Sequence, residues 1–208
     1  MRHAVKIMRL RLGLAALLLS AALFPVPAMA AELPPDMPGG VYKLDPLHTS
    51  VTFKIDHLGF SHFTGRFDKV AGQLVLDPAA PENSTLEVAI VPGSVDTNDA
   101  ELDQDLCGEN WFDTLKYPQA GFKATGIRME SGHAFIDGDF TLHGVTHHLT
   151  LDTVLVGAGD DPMTGAKVIG ISAHGGFDRS AYGVPNLEPF VGDHVDLQIE
   201  SEFDKEPE

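Results

Sequence analysis

The sequence predicts an all-β domain: an antiparallel sandwich or barrel of about eight strands, with one or two short helices. Three observations predict it. Apolar residues recur with a period of two along several separate runs. Short turns bearing Gly or Asp divide those runs. The chain also holds 21 Gly and 14 Pro among 208 residues, which suits many turns and short strands better than long helices.

Residues 1–30 stand apart from this fold. Arg2, Lys6, Arg9 and Arg11 form a basic start without an acid. Residues 12–24 are an apolar run, shorter than the roughly 20 residues that span a bilayer. Ala28-Met29-Ala30 has the form of a cleavage site. This is the arrangement of a secretory signal peptide, expected to be cut after Ala30 and to deliver the domain to the periplasm. Its removal takes away four positive charges and no negative ones, moving the formal charge from −16 to −20. So acidic a chain is repelled by nucleic acid and by anionic membrane surfaces. A lipid partner must therefore be captured one molecule at a time, in a cavity.

The elements follow in order. Residues 31–40, AELPPDMPGG, read as a flexible lead-in, and the domain is expected over residues 41–203. Residues 50–56 put Val51, Phe53 and Ile55 on one face. Residues 57–63 break the rhythm and predict a short turn or helix. Leu86, Val88 and Ile90 form another run. Residues 98–117 have helical spacing in Leu102 and Leu106, followed by Trp111-Phe112. Asp99 and Asp103 supply N-terminal charge and Pro118 ends the stretch. One or two short helices crossing an open barrel end fit these residues. Next, Ile136, Gly138, Phe140 and Leu142 oppose Asp137, Asp139, Thr141 and His143. A tight hairpin through His143-Gly144-Val145-Thr146-His147 leads to Leu149, Leu151, Thr153 and Leu155. Residues 157–165, GAGDDPMTG, predict a longer polar loop before Ile169, Ile171 and Ala173. Last comes the clearest strand, in which Val195, Leu197, Ile199, Ser201 and Phe203 alternate with Asp196, Gln198, Glu200 and Glu202. Residues 204–208 are expected to be a frayed, charged tail.

Signals for chemistry are weak. Cys107 is the one cysteine, so an internal disulfide is excluded, and it reads as a small buried hydrophobe. His143, His147 and His148 are close in sequence, but they span a predicted hairpin and lack an acidic partner at ligand spacing. In the acidic run from Asp99, Gln104 stands where a calcium loop needs Gly, and Asn110 where it needs Glu. G-x-S-x-G, P-loop and G-x-G-x-x-G motifs are absent. No catalytic residue, metal or cofactor is expected. A closed barrel of about eight strands either fills with side chains or holds one ligand, and the residues alone leave these two evenly balanced.

Several blocks in order resemble the YceI-like family of exported polyisoprenoid-binding proteins. They are Tyr42-Lys43-Leu44-Asp45-Pro46-Leu47-His48-Thr49-Ser50-Val51-Thr52-Phe53, His57-Leu58-Gly59, Gly65-Arg66-Phe67, Trp111-Phe112-Asp113 with Tyr117-Pro118, Gly138-Asp139-Phe140-Thr141-Leu142-His143-Gly144-Val145-Thr146, Phe177-Asp178-Arg179-Ser180 with Tyr182-Gly183, and Val191-Gly192-Asp193. The resemblance spans nearly the whole mature domain. It implies a lipocalin-like antiparallel β-barrel whose apolar channel holds a polyisoprenoid or an isoprenoid quinone. Relatives encoded beside, or fused to, b-type cytochromes imply a membrane b-type cytochrome as partner, and a homodimer would suit a long ligand. The channel-lining candidates are Phe53, Phe60, Phe63, Phe67, Trp111, Phe112, Phe122, Phe140 and Phe177. Asp45, His48, Arg66, Asp178 and Arg179 either tie strand ends or reach a head group, and the structural role is favoured. One departure is Leu102-Asp103-Gln104-Asp105-Leu106, where relatives often carry Arg-Asp-x-His-Leu. Two competing readings are an enzyme, lipid-acting or metal-dependent, using histidines near the barrel mouth around His48, and a ligand-free stress or interaction protein with a filled barrel.

Overall fold

The computed structural model describes residues 33–207. The expected signal peptide and its cleavage site at Ala30, with Ala31, Glu32 and Glu208, lie outside the described residues. The elements are β1 (Gly40–Leu44), β2 (Ser50–His57), β3 (Ser61–Phe67), β4 (Val70–Leu76), β5 (Thr85–Ile90), β6 (Val95–Asp96), α1 (Ala100–Leu106), β7 (Ala120–Glu130), β8 (His133–Leu142), β9 (Val145–Asp160), β10 (Lys167–Asp178) and β11 (Val191–Lys205). All the strands belong to one antiparallel sheet, in the order β1-β4-β5-β7-β8-β9-β10-β11, and β1 also pairs with β11 to close the ring. The remaining strands lengthen this ring. β2 carries on from β1 along β11, β3 carries on from β4, and β6 from β5. The barrel therefore has eight staves, as expected, and three of them are interrupted.

The interruptions have local causes. Pro46 cannot donate to the ladder and falls between β1 and β2. Pro92 opens a 3₁₀ turn, Pro92–Ser94, between β5 and β6. Ser94 then bonds across the barrel wall: its carbonyl accepts from Asp68 N and its hydroxyl from Lys69 N, where β3 gives way to β4. The β7–β8 and β8–β9 hairpins use two-residue loops, Ser131-Gly132 and His143-Gly144, with all four residues at positive φ. Such loops match the twist of the strands they join.

Within the long strands the inward positions are the predicted ones. Ile136, Phe140 and Leu142 of β8, Leu149, Leu151 and Thr153 of β9, and Val195, Ser201 and Phe203 of β11 are all buried. Gly138 is the exception in size on the inner face of β8. The Phe122 ring of β7 lies over it, and a Cβ there would come within 2.3 Å of that ring and 2.8 Å of the Lys123 carbonyl oxygen. Gly138→Ala should therefore cost about 1–3 kcal/mol, measured as a lowered denaturant midpoint. A midpoint equal to the wild type's would show that Phe122 can leave this position freely.

The end of the barrel reached by β1 and the close of β11 is sealed. Met37, Tyr42, Ile169 and Phe203 are each at most 3% exposed there. This corrects two expectations. The described part of the lead-in, residues 33–40, is docked, since Met37 is buried, Tyr42 OH donates to the Pro38 carbonyl at 2.6 Å, and Lys167 bonds Asp36 at 3.0 Å. The tail is strand through Lys205, with Lys43 opposite Asp204. An apolar Met inside a Pro/Gly-rich run, and a charged pair on an outward face, hid both features. The polar loop is also shorter than predicted. β9 runs through Gly157 and Gly159 to Asp160, beside a register shift between Gly170 and Ile171, a place where strands tolerate Gly. Residues 161–166 make the connection.

The opposite end carries the irregular elements. Residues 58–60 form a plain turn, with Leu58 and Gly59 at positive φ, and residues 61–63, expected to be irregular, already belong to β3. Of the one or two expected helices, α1 is the single α-helix among the described residues. Asp99 is its N-cap, accepting from Glu101 N and Leu102 N. Asp103 caps the segment before it, accepting from Thr97 N and Oγ1.

Candidate functional site

Between the sealed floor and this roof lies a cavity of about 280 Å³. Every strand of the ring contributes inward apolar side chains to its wall or floor. Its upper part is lined by Leu102 and Leu106 of α1, by Trp111 and Phe112, and by Val184, Leu187 and Val191. Eight of the nine predicted lining residues stand around it: Phe53, Phe63, Phe67, Trp111, Phe112, Phe122, Phe140 and Phe177. Five of them belong to two aromatic clusters. Phe67 stacks obliquely on Phe53 and on Phe112, with centroids 5.7 Å apart in both pairs. Phe140, Phe177 and Tyr182 form a triangle with sides of 5.1–5.3 Å. Phe60 is the correction. It sits in the β2–β3 turn, where the left-handed backbone of Leu58 and Gly59 carries its ring outward, and it is 90% exposed. With exposed Leu58, Leu187 and Phe190 it forms an apolar rim, and Leu58 N bonds the Phe190 carbonyl oxygen at 2.8 Å.

Sequence reasoning missed Leu187 and Val191, which lie in or beside a loop without periodicity. Arg179, expected to tie strand ends or reach a head group, has partners that the sequence did not reveal. Apart from the indole of Trp111, the polar side chains lining the cavity are His57, Thr153, Arg179 and Ser201. Arg179 is 4% exposed. Its guanidinium donates to the carbonyl oxygens of Gly192 (2.8 Å), Val184 (2.5 Å) and Val191 (2.9 Å), and lies 5.5 Å over the Trp111 ring. Burial lowers its pKa from the usual guanidinium value, while Glu188 and Asp193 oppose that shift. Arg179 thus staples the loop after β10 to the start of β11. A cluster of "Asp-Arg-Ser" before a Gly was the available signal, without a partner visible in sequence.

The other polar members of the family-like blocks stay outside the cavity. His48 is 64% exposed and bonds Asp45 at 2.7 Å, and that carboxylate raises the imidazole pKa above its usual value. Arg66 pairs with Asp68 and Asp96 at the surface, and Asp178 with His194. His143 and His147 donate to the carbonyl oxygens of Tyr182 and Ala181, fastening the β8–β9 hairpin to residues 179–182. Cys107 is a half-buried free thiol. Among the described residues, no three His, Cys, Asp or Glu side chains converge as metal ligands would. The arrangement can do one thing plainly: it can enclose an apolar molecule against aliphatic and aromatic walls.

The family model described as "YceI-like domain" matches residues 42–203. The chain belongs to the YceI-like family. Protein YceI of Escherichia coli O157:H7 is 37% identical over 163 residues, covering 77% of this chain and 85% of that protein. The crystal structure of the Campylobacter jejuni YceI protein is similar at a TM-score of 0.66 and 27% identity, covering 74% of this chain and 91% of the other. A domain from Saccharophagus degradans, described as a polyisoprenoid-binding domain implicated in plant cell wall breakdown, shares the fold at a TM-score of 0.61 and 15% identity, covering 79% and 98%. The fold is therefore the closed antiparallel barrel of this family.

Proposed function

We propose that this YceI-like protein is a periplasmic binding protein that carries or stores one long-chain polyisoprenoid or isoprenoid quinone in the barrel. The observation that supports it best is the cavity: sealed at one end, apolar along its walls and rimmed with exposed apolar side chains at the other. The basic start, short apolar run and Ala28-Met29-Ala30 support export. The polyisoprenoid named for the S. degradans domain fits the same shape. Each buried methylene contributes about 0.8 kcal/mol, so a chain of about twenty methylene equivalents gains on the order of 16 kcal/mol before ordering costs. Tight capture needs no ionic anchor. An isoprenoid quinone would make a membrane b-type cytochrome the natural partner. The enzyme reading draws little support, because His48 and Asp45 lie on the outer wall and Arg179 is committed to main-chain carbonyls.

The test is lipid extraction and mass spectrometry of the protein purified from its native host. One long-chain isoprenoid per polypeptide is expected. In lipid-stripped protein, added prenyl lipid should change the fluorescence of Trp111, the single tryptophan, which lines the cavity. A folded protein that carries no lipid and leaves Trp111 unmoved by added prenyl lipid would overturn the proposal.

A further inference from the structure

Three buried polar side-chain atoms among the described residues have no hydrogen-bond partner: Thr49 Oγ1, His143 Nε2 and Thr153 Oγ1. Of these residues, only Thr153 lines the cavity. Its side chain is on the inner face of β9, and the residue is 3% exposed. The strand does not need this hydroxyl. Val would fill the same volume and suit a strand as well, without burying an unpaired polar group. Folded proteins leave few such groups, and each calls for a missing partner.

A second hydroxyl shares this wall, two strands away. Thr153 pairs with Ala173 of β10, which pairs with Ile199 of β11; one inward step toward the floor, Ile171 pairs with Ser201. Ser201 is 5% exposed and also lines the cavity. The small side chain of Ala173 lies between the two. The next inward pair below is Ile169 and Phe203, the sealed floor. Both hydroxyls therefore sit deep, in the half of the channel away from the mouth. The mouth shows the opposite character, with Leu187 lining it and Phe60 and Phe190 exposed around it. Arg179, the one cation there, spends its Nε and both terminal nitrogens on carbonyls.

We infer that the bound lipid lies with a neutral, oxygen-bearing end near the floor, hydrogen-bonded to Thr153 or to Ser201, and with its chain running out to the mouth. This rests on the channel reading above. The head group is an alcohol, a phenol or a quinone carbonyl, because among the described residues no Lys, Arg or His lines the lower half of the cavity. A phosphate there would be a desolvated charge without a counter-charge.

The experiment uses two probes: geranylgeraniol, and the hydrocarbon in which hydrogen replaces its hydroxyl. Binding to the full mature protein is read by Trp111 fluorescence. A site built for a hydroxyl discriminates strongly against a ligand lacking it, so the wild type should prefer the alcohol by about tenfold. Thr153→Val with Ser201→Ala should erase that preference and leave hydrocarbon affinity unchanged. Both substitutions are near-isosteric, and an unchanged circular dichroism melt checks the fold. If the double variant keeps the full preference for the alcohol, the polar contact lies elsewhere and this inference is wrong while the channel stands. If the wild type binds neither probe, the channel reading falls and takes this inference with it.

Discussion

Ala173→Phe should leave the barrel folded and lower the affinity for a prenyl lipid about a thousandfold. Ala173 is 2% exposed, points inward from β10 between Thr153 and Ile199, and lines the cavity. A phenyl ring added there enters the channel. It excludes a stretch of lipid equal to about five methylenes, which is about 4 kcal/mol of binding and roughly three factors of ten. The same substitution separates the channel from a filled barrel. In a packed interior the extra ring would force neighbours aside and cost about 1–3 kcal/mol. In an open channel it fills vacant space, so the thermal midpoint should hold or rise. Phe leaves Trp111 as the single indole, and its fluorescence still reports binding. A variant that melts well below the wild type would show that the interior is filled, and one that binds lipid with native affinity would show that the ligand lies elsewhere.

Much of the architecture was legible because a half-buried strand leaves a mark on every second residue. β2, β8, β9 and β11 were each readable from three or more inward apolar positions. The breaks in three staves left no periodic signal. They come from Pro46, Pro92 and the hydrogen bonds of Ser94, which matter only once β3 and β6 are neighbours. Aromatic content located most of the cavity wall, since an inward Phe in a strand has nowhere to go but the interior. Phe60 misled because it lies in a turn, where alternation carries no information about facing.

The polar side chains inside were harder to place. Thr153 falls on the same alternating face as Leu149 and Leu151, so its direction was readable, but its lack of a partner is a fact of three dimensions. Arg179 shows the same limit. Its partners, Val184, Val191 and Gly192, are backbone carbonyls, and a main-chain acceptor has no residue signature. Met37 sealed the floor from within a stretch whose composition signals a loose linker. In each case the deciding contact joins segments whose sequences do not advertise one another.

Arg179→Met should lower the thermal midpoint by about 10–15 °C and speed release of bound lipid. Met keeps much of the apolar stem but donates no hydrogen bond. The carbonyl oxygens of Gly192, Val184 and Val191 would lose their shared donor, and each buried orphan costs about 1–3 kcal/mol. Water entering at the mouth relieves part of this, leaving a loss of about 3–5 kcal/mol, where each kcal/mol moves the midpoint of a domain this size by about 2–4 °C. Arg179→Lys should rescue little, because one ammonium cannot reproduce a planar fork aimed at three acceptors. The lost staple also frees Val184 and Leu187, and takes the cation from the face of Trp111. Those residues roof the cavity, so release should quicken more than the equilibrium stability alone requires. Circular dichroism melts and stopped-flow transfer of a prenyl lipid to acceptor vesicles measure the two effects. A midpoint within about 3 °C of the wild type, or full rescue by Lys, would mean that the three carbonyls find other partners and that Arg179 is not what holds the roof down.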